Sequence, residues 1–333
     1  MAALDPCPGR IITLGMFIID EFEYRDSNGK LIEHTLDEGQ IGGGGTYAIV
    51  GSRLFLPPQS LGMIVDKGDD FPDRIGRELE AYGTDMWHFR NRTDGERKTT
   101  RALNMYTGEA RGVGLQSFKY LTPRFRISPS QFVGTPFAEN GPPSFVHFVC
   151  APVRAFEIVD EIDSLDGWAR GTVNLVWEPM PDDCVPEQLD NVRRICPRLK
   201  VISPNHLEAL GLVGVEPSGE RTDLIAQITS VTLQLASFLS PGGLAVVRSG
   251  AEGACFGVVR SDGTVGEARW VPAVFGPSEQ DRIKDVTGGG NAFLGGLCAG
   301  LKITGNDPYE AVLYGSVAAS ALEWEGQWGH QAC

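Results

Sequence analysis

The run Asp285-Val286-Thr287-Gly288-Gly289-Gly290-Asn291-Ala292-Phe293 leads three glycines and an asparagine directly into an apolar helical pattern. Consecutive glycines let backbone N–H groups converge, and a helix start adds partial positive charge, so an oxyanion such as a phosphate is well served there. The same residues also describe a plain N-cap, Asn291, behind a tight strand-to-helix connection. Neither the phosphate-loop pattern nor the dinucleotide fingerprint is present. Other polar residues stand directly beyond apolar runs: Asp20, the stretch Gly42 to Thr46, Asn205 with Glu208, and Ser249, Gly250 and Gly253. In open α/β sheets ligands bind outside the carboxyl ends of the strands, so these positions are the ones to weigh.

The elements that must hold them alternate. "RIITLGMFIID" reads as one buried strand with Asp20 at its carboxyl end, and "QSLGMIVDKGDD", "SFVHFVC", "GTVNLVWEP", "LKVISPN" and "GGLAVVRSG" read as further strands. Between them lie helical patterns such as Tyr47 to Phe55 and "FPDRIGRELEAYG", which Gly83 ends. The rhythm predicts a doubly wound α/β fold, a mostly parallel sheet with helices on both faces, in a single domain over residues 1–333. Two polar, alternating stretches with Asn28-Gly29 and Asp94-Gly95 turns predict a small β lid from segments at about 21–41 and about 90–115.

These motifs, taken together, resemble the PfkB carbohydrate kinases, the ribokinase-like family. Their C-terminal signature is Asp-Thr-Thr-Gly-Ala-Gly-Asp-x-Phe, and Asp285 to Phe293 matches it in register. "GGGGTYAIVGSRL" is similar to the Gly-Gly-x-x-x-Asn-x-Ala signature, "VDKGDDFPDRIGREL" to the Gly-Asp-Asp segment, and "VVRSGAEGA" to the nucleotide loop. Around Gly-Gly-Gly-Asn the chain looks similar to the maintenance-of-killer type proteins. The resemblance implies that Asp20, Gly43, Gly44 and Thr46 contact a hydroxylated substrate. Gly288, Gly289, Gly290, Ser249, Gly250 and Gly253 would hold an anion or nucleotide, and Asn205 and Glu208 would organise magnesium if magnesium is used. It also implies a homodimer through the lid, as in relatives.

Three positions depart from the pattern. Asn291 stands where the family has its catalytic aspartate, Thr46 where it has a sugar-binding Asn, and Arg248 where the nucleotide loop has Thr. An amide cannot accept a proton at neutral pH, and general-base assistance is worth about 10²–10⁴-fold. The leading expectation is therefore a repurposed enzyme, with Asp20 and Asn291 as catalytic residues, that promotes isomerisation or cyclisation in an enclosed pocket and requires no cofactor. An ATP- and magnesium-dependent kinase of a sugar- or nucleoside-like molecule is the alternative, and a non-catalytic metabolite or nucleotide sensor is the third. With 29 basic against 43 acidic residues the net charge is −14, which disfavours nucleic acid as a partner. No apolar run reaches membrane-span length and no leader pattern opens the chain, so a cytoplasmic protein acting on a small molecule, with no membrane partner, is expected. The seven cysteines lack paired metal-ligand spacing and are expected to be buried thiols.

Overall fold

The computed structural model describes residues 9–34, 39–107, 115–168 and 171–325. Its strands are β1 (Ile11–Thr13), β2 (Ile18–Arg25), β3 (Leu31–His34), β4 (Gln40–Gly42), β5 (Leu61–Lys67), β6 (Trp87–Asn91) and β7 (Arg101–Thr107). Then come β8 (Leu115–Tyr120), β9 (Phe145–Cys150), β10 (Asn174–Pro179), β11 (Val201–Ile202), β12 (Leu244–Arg248), β13 (Ala254–Val258) and β14 (Arg269–Val271). The helices are α1 (Gly44–Arg53), α2 (Asp73–Ala81), α3 (Pro152–Ser164), α4 (Leu189–Ile195), α5 (His206–Leu212), α6 (Arg221–Ala236), α7 (Gly289–Thr304) and α8 (Pro308–Glu325).

Nine strands form the main sheet in the order β14-β13-β12-β11-β10-β9-β1-β5-β6. From β12 to β6 the pairs are parallel, and β13 and β14 extend the sheet antiparallel. Successive residues of a strand face opposite ways, and this builds two cores. Ile11, Phe145, Val176, Val201 and Leu244 turn toward Tyr47 and Ile49 of α1 and Phe293, Leu294 and Leu297 of α7. Their neighbours Ile12, Val146, Leu175, Ile202 and Ala245 turn toward Ile158 and Ile162 of α3 and Ile228 and Leu235 of α6. The doubly wound, mostly parallel architecture is thus the one the sequence predicts, and near-continuous apolar runs mark its doubly covered strands.

The expected single strand "RIITLGMFIID" is in fact two. Thr13 Oγ1 accepts the Gly15 N–H at 3.0 Å and turns the chain out of the main sheet. A Cβ on Gly15 would lie 2.5 Å from the Gly45 backbone, so the crossing depends on glycine there. The chain re-enters a second sheet as β2, and Asp20 is the third residue of that lid strand instead of the end of a core strand. The second sheet runs β3-β2-β7-β8, with β4 also paired to β2. Its limits differ from the expected segments: Arg90 and Asn91 belong to β6 of the main sheet, and β8 reaches Tyr120. The Asn28-Gly29 hairpin turn forms, with Gly29 at φ +80° and its N–H donated to Asp26 O at 2.9 Å. Cys150, Cys184, Cys196, Cys255 and Cys298 are free and buried; Cys7 and Cys333 lie outside the described residues.

Candidate active site

Helix α7 begins behind Gly288, which adopts a left-handed φ of +78° with the Tyr47 ring 2.4 Å from where a Cβ would stand. Only glycine satisfies both conditions. The Gly289 N–H turns back to Val286 O at 3.1 Å, and among the described residues the Gly290 and Asn291 N–H groups have no backbone acceptor. Two N–H groups at the positive end of a sixteen-residue helix form an anion cradle. Thr287 braces it: its N–H meets Asp285 Oδ1 at 2.8 Å, and its hydroxyl meets Tyr106 Oη of β7 at 2.8 Å, tying cradle to lid.

Asn291 does not stand alone. Its Nδ2 donates to Glu178 Oε2 at 2.6 Å, and Glu178 is the penultimate residue of β10 and is buried. The other Glu178 oxygen accepts from Arg248 Nη2 at 2.6 Å. Arg248, also buried, gives Nη2 to Ser203 O at 3.1 Å and lies 3.6 Å from Glu208 Oε2. Its Nη1 rests on the α7 start, 2.4 Å from where a Gly290 Cβ would be, and its Nε has no hydrogen-bond partner. Sequence reading had no place for Glu178; the signal available was an acid closing the apolar run "NLVWEP".

Asn205 and Glu208 are close together but occupied. Asn205 caps α5 by accepting the Glu208 N–H at 2.9 Å, while Glu208 accepts from Asn205 N at 2.7 Å and from its Nδ2 at 2.6 Å. This is a reciprocal capping box. Burial pushes the Glu208 carboxyl up to about 7, in spite of the opposing pull of Arg248. A divalent cation at these carboxylates would have to displace a guanidinium already wedged against Glu178 and Glu208. Among the described residues no three His, Cys, Asp or Glu side chains group as a metal site. Asn205 and Glu208, the residues that would organise magnesium if magnesium is used, here form a helix cap facing Arg248.

Asp20, in lid strand β2, packs its carboxylate against the glycine loop. Its carboxylate is where a Cβ on Gly42 would be, 2.0 Å from Oδ2, and the strand pairing places it diagonally across from Asn104 of β7. Burial pushes Asp20 up to about 7, with Asn104 and the Gly43 N–H pulling the other way. Asp20 Oδ1 and Asn104 Nδ2 are both buried without a hydrogen-bond partner of good geometry. The acceptor and the donor lie against each other and pair once the side chains adjust slightly. Gly43, at φ +91°, and Gly44 carry the loop into α1, and Gly44 faces the Asn291 amide, whose Nδ2 is 3.0 Å from the place of a Cβ. Thr46 is fully buried and gives its hydroxyl to Gly42 O at 2.8 Å, so it props the loop instead of presenting a donor to a ligand. Asn104 and Tyr106 were missed because the lid was legible only as alternating polarity.

Two cavities border this frame. One, of about 510 Å³, is lined by Ser249, Gly250, Gly253, Phe275, Gly289 and Gly290 among others, with His206 and Arg248 at its edge. Apolar walls with an N–H cradle at one end fit a nucleotide. The other, of about 290 Å³, lies by Gly15, Met16, Cys150 and Met180. Gly15 of the second cavity abuts Gly45, and Met180 follows Glu178 by two residues.

No family model matches the chain. Over 322 residues it is 31% identical to protein MAK32 of Saccharomyces cerevisiae, covering 94% of this chain and 84% of that protein. An uncharacterised Schizosaccharomyces pombe protein is 32% identical over 320 residues, 93% of this chain and 82% of its own length. Among solved structures, ribokinase from Cryptococcus neoformans in complex with ADP matches with a TM-score of 0.69 at 19% identity, covering 96% of this chain and 95% of that one. Ribokinase from Giardia lamblia also gives 0.69 at 19%, with 96% of each chain covered. Escherichia coli phosphofructokinase-2 in complex with substrates and products gives 0.62 at 16%, covering 95% and 93%. At these identities the structural likeness establishes the ribokinase-like fold.

Proposed function

Since the chain belongs to the family of yeast MAK32 and is built on the ribokinase-like fold, we propose that it is a small-molecule phosphotransferase in which Glu178, held by Asn291, takes over as general base. The observation that carries this reading is the 2.6 Å contact from Asn291 Nδ2 to Glu178 Oε2. A carboxylate has about four lone-pair sites, so after accepting from Asn291 and Arg248 it retains sites for a substrate hydroxyl. Asn291 then aims the base instead of being one.

A nucleotide in the larger cavity would supply the phosphoryl group. The Gly290 and Asn291 N–H groups would hold its oxygens, and Arg248 Nη1, resting on the same helix start, would add a fixed positive charge. Asp20 and Asn104 would orient the acceptor hydroxyls, and Glu178 would take the proton of the one that reacts. Tyr106 and Thr287 would fasten the lid over both. No step is assigned to magnesium, because Arg248 stands at the carboxylates such an ion would use.

A second reading has one observation in its favour. Asp20, buried and poised at about 7, would shuttle a proton in an isomerisation or cyclisation without any nucleotide. Release of ADP, measured across sugars, nucleosides and polyols, separates the readings. ADP formation that depends on one hydroxylated compound supports phosphoryl transfer. Conversion of a compound with no ADP formed overturns it in favour of the second reading, and ATP binding with no turnover leaves a sensor. Dimerisation through the lid is carried forward as a proposal, supported by the exposed Leu31 and Ile32 on β3 and tested by sedimentation. Among the described residues no helix is long and apolar enough to cross a membrane.

A further inference from the structure

The larger cavity holds two buried hydroxyls that a phosphate cradle with apolar walls does not require. Helix α8 runs antiparallel to α7: a Cβ on Gly300 would meet Ala311, one on Gly296 would meet Tyr314, and one on Gly315 would meet the Phe293 ring. Continued toward the end of α8, the same register carries Ser316 and Ser320 alongside the first turns of α7. The two serines are one helical turn apart and both line the cavity. They are only 7% and 8% exposed, so each hydroxyl is a buried polar group that needs a partner.

The two hydroxyls differ in what they have left to offer. Ser320 donates its proton to Ser316 O at 2.8 Å, the back-bond a helical serine makes to the carbonyl four residues earlier. Its oxygen keeps only lone pairs, so toward a ligand Ser320 accepts and does not donate. Ser316 makes no such bond. Its hydroxyl has no hydrogen-bond partner among the described residues and is free to donate into the cavity.

The surrounding walls limit what can meet these groups. Phe275, Val286 and Phe293 give the cavity flat, apolar sides, and the Arg282 guanidinium lies on the Phe275 ring at 4.6 Å. Gln280, also on the wall, turns its Nε2 back onto Phe275 O and Gly276 O, each at 3.1 Å. Neighbouring helices pack with axes about 8–10 Å apart, which sets the serines off from the α7 cradle by the length of a sugar and a phosphate. A planar ring carried on a phosphorylated sugar fits between such walls, with its edge against an acceptor beside a donor.

We propose that Ser320 and Ser316 select the base of the nucleotide: Ser320 Oγ accepts from a ring amino group, and Ser316 donates to the ring nitrogen next to it. Adenine and cytosine carry that edge. Hypoxanthine and uracil carry an oxo group beside a ring N–H, which sets an oxygen against the Ser320 lone pairs. Selection therefore comes from the repelled base as much as from the matched one. The assignment rests on the nucleotide reading of this cavity given above and adds which bases the cavity takes.

The test is calorimetric titration of ADP, inosine diphosphate, CDP, UDP and pyrophosphate into the intact protein. ADP should bind about tenfold or more tightly than inosine diphosphate, and CDP more tightly than UDP. Ser320→Ala removes the opposing lone pairs, so inosine diphosphate should gain and the ADP preference should shrink to within about threefold. Ser316→Ala should weaken ADP by about three- to tenfold. Alanine suits a helix, and pyrophosphate, which has no base, should bind the wild type and both variants alike, showing that the cradle is intact. Equal binding of ADP and inosine diphosphate, or a preference that survives both substitutions, overturns the proposal and leaves the nucleotide reading standing. Binding of pyrophosphate without any nucleotide also overturns it, since the cavity then takes no base. If neither pyrophosphate nor a nucleotide binds, the nucleotide reading falls together with it.

Discussion

Asp20→Asn should make the folded protein more stable while weakening its hold on the ligand. Burial lifts the Asp20 carboxyl from 3.8 to about 7, whereas the unfolded chain releases that proton near pH 4. A carboxyl with a raised folded pKa contributes its stability fully below about pH 4, loses it as pH rises toward 7, and above that leaves a constant deficit. Roughly three pK units at about 1.4 kcal/mol each set a ceiling of about 4 kcal/mol. The Asn amide is nearly isosteric, keeps an acceptor for the Gly43 N–H and carries no charge, so it removes the deficit. Urea unfolding of both proteins between pH 4 and 9 should give equal stabilities at the acid end. The gain for the variant should grow through pH 5 to 7 and level off at about 2–4 kcal/mol. The same variant should lose about ten- to hundredfold in acceptor affinity, the worth of a charge-assisted hydrogen bond. A stability difference independent of pH, or a variant less stable at pH 8, would refute the argument that Asp20 is a buried carboxylate kept for a ligand.

Asn291→Asp replaces a donor to Glu178 by a second carboxylate in contact with it. Two such groups cannot both ionise freely, so thermal unfolding should show a loss of about 1–3 kcal/mol at pH 8 that narrows below pH 5; a variant as stable as wild type at pH 8 would contradict the contact. Arg248→Thr leaves Glu178 and Glu208 without their cation, at a cost of about 3–5 kcal/mol. ADP titrations with and without EDTA should show wild-type binding indifferent to magnesium and variant binding dependent on it, and the reverse pattern would contradict the wedge assignment. At Gly295, where α7 crosses α1, a Cβ would stand 1.8 Å from Ala48 O; Gly295→Ala should cost about 1–3 kcal/mol, read as a lowered Tm with unchanged secondary structure.

Much of the frame was legible because it is written locally. Glycines before an apolar helix announce the α7 cradle and the Gly43–Gly44 loop, and apolar runs announce doubly covered strands. What escaped depends on which distant residues the sheet brings together. Glu178 reads as an ordinary strand-end acid until β10 and α7 meet, and its partner Arg248 reads as a lost threonine until the two side chains join. Asn104 and Tyr106 reach the site through the parallel pairing of β7 with β2, a register that alternation alone does not fix. The break between Thr13 and Ile18 was hidden because both halves are apolar and only Gly15 marks the crossing. The absence of the family aspartate was plain from the start, whereas the carboxylate next to its replacement lies 113 residues away in the chain.

The central claim is that Glu178 is the base and Asn291 its positioner. Its most direct test is single-turnover phosphoryl transfer by Glu178→Gln, with nucleotide and an acceptor that supports ADP formation in the wild type. Gln keeps the shape and one acceptor for Asn291, so ADP binding should persist while the rate falls by about 10²–10⁴-fold and loses its dependence on pH. A variant that transfers phosphoryl groups within a few-fold of wild type, with the pH profile intact, would show that the base lies elsewhere.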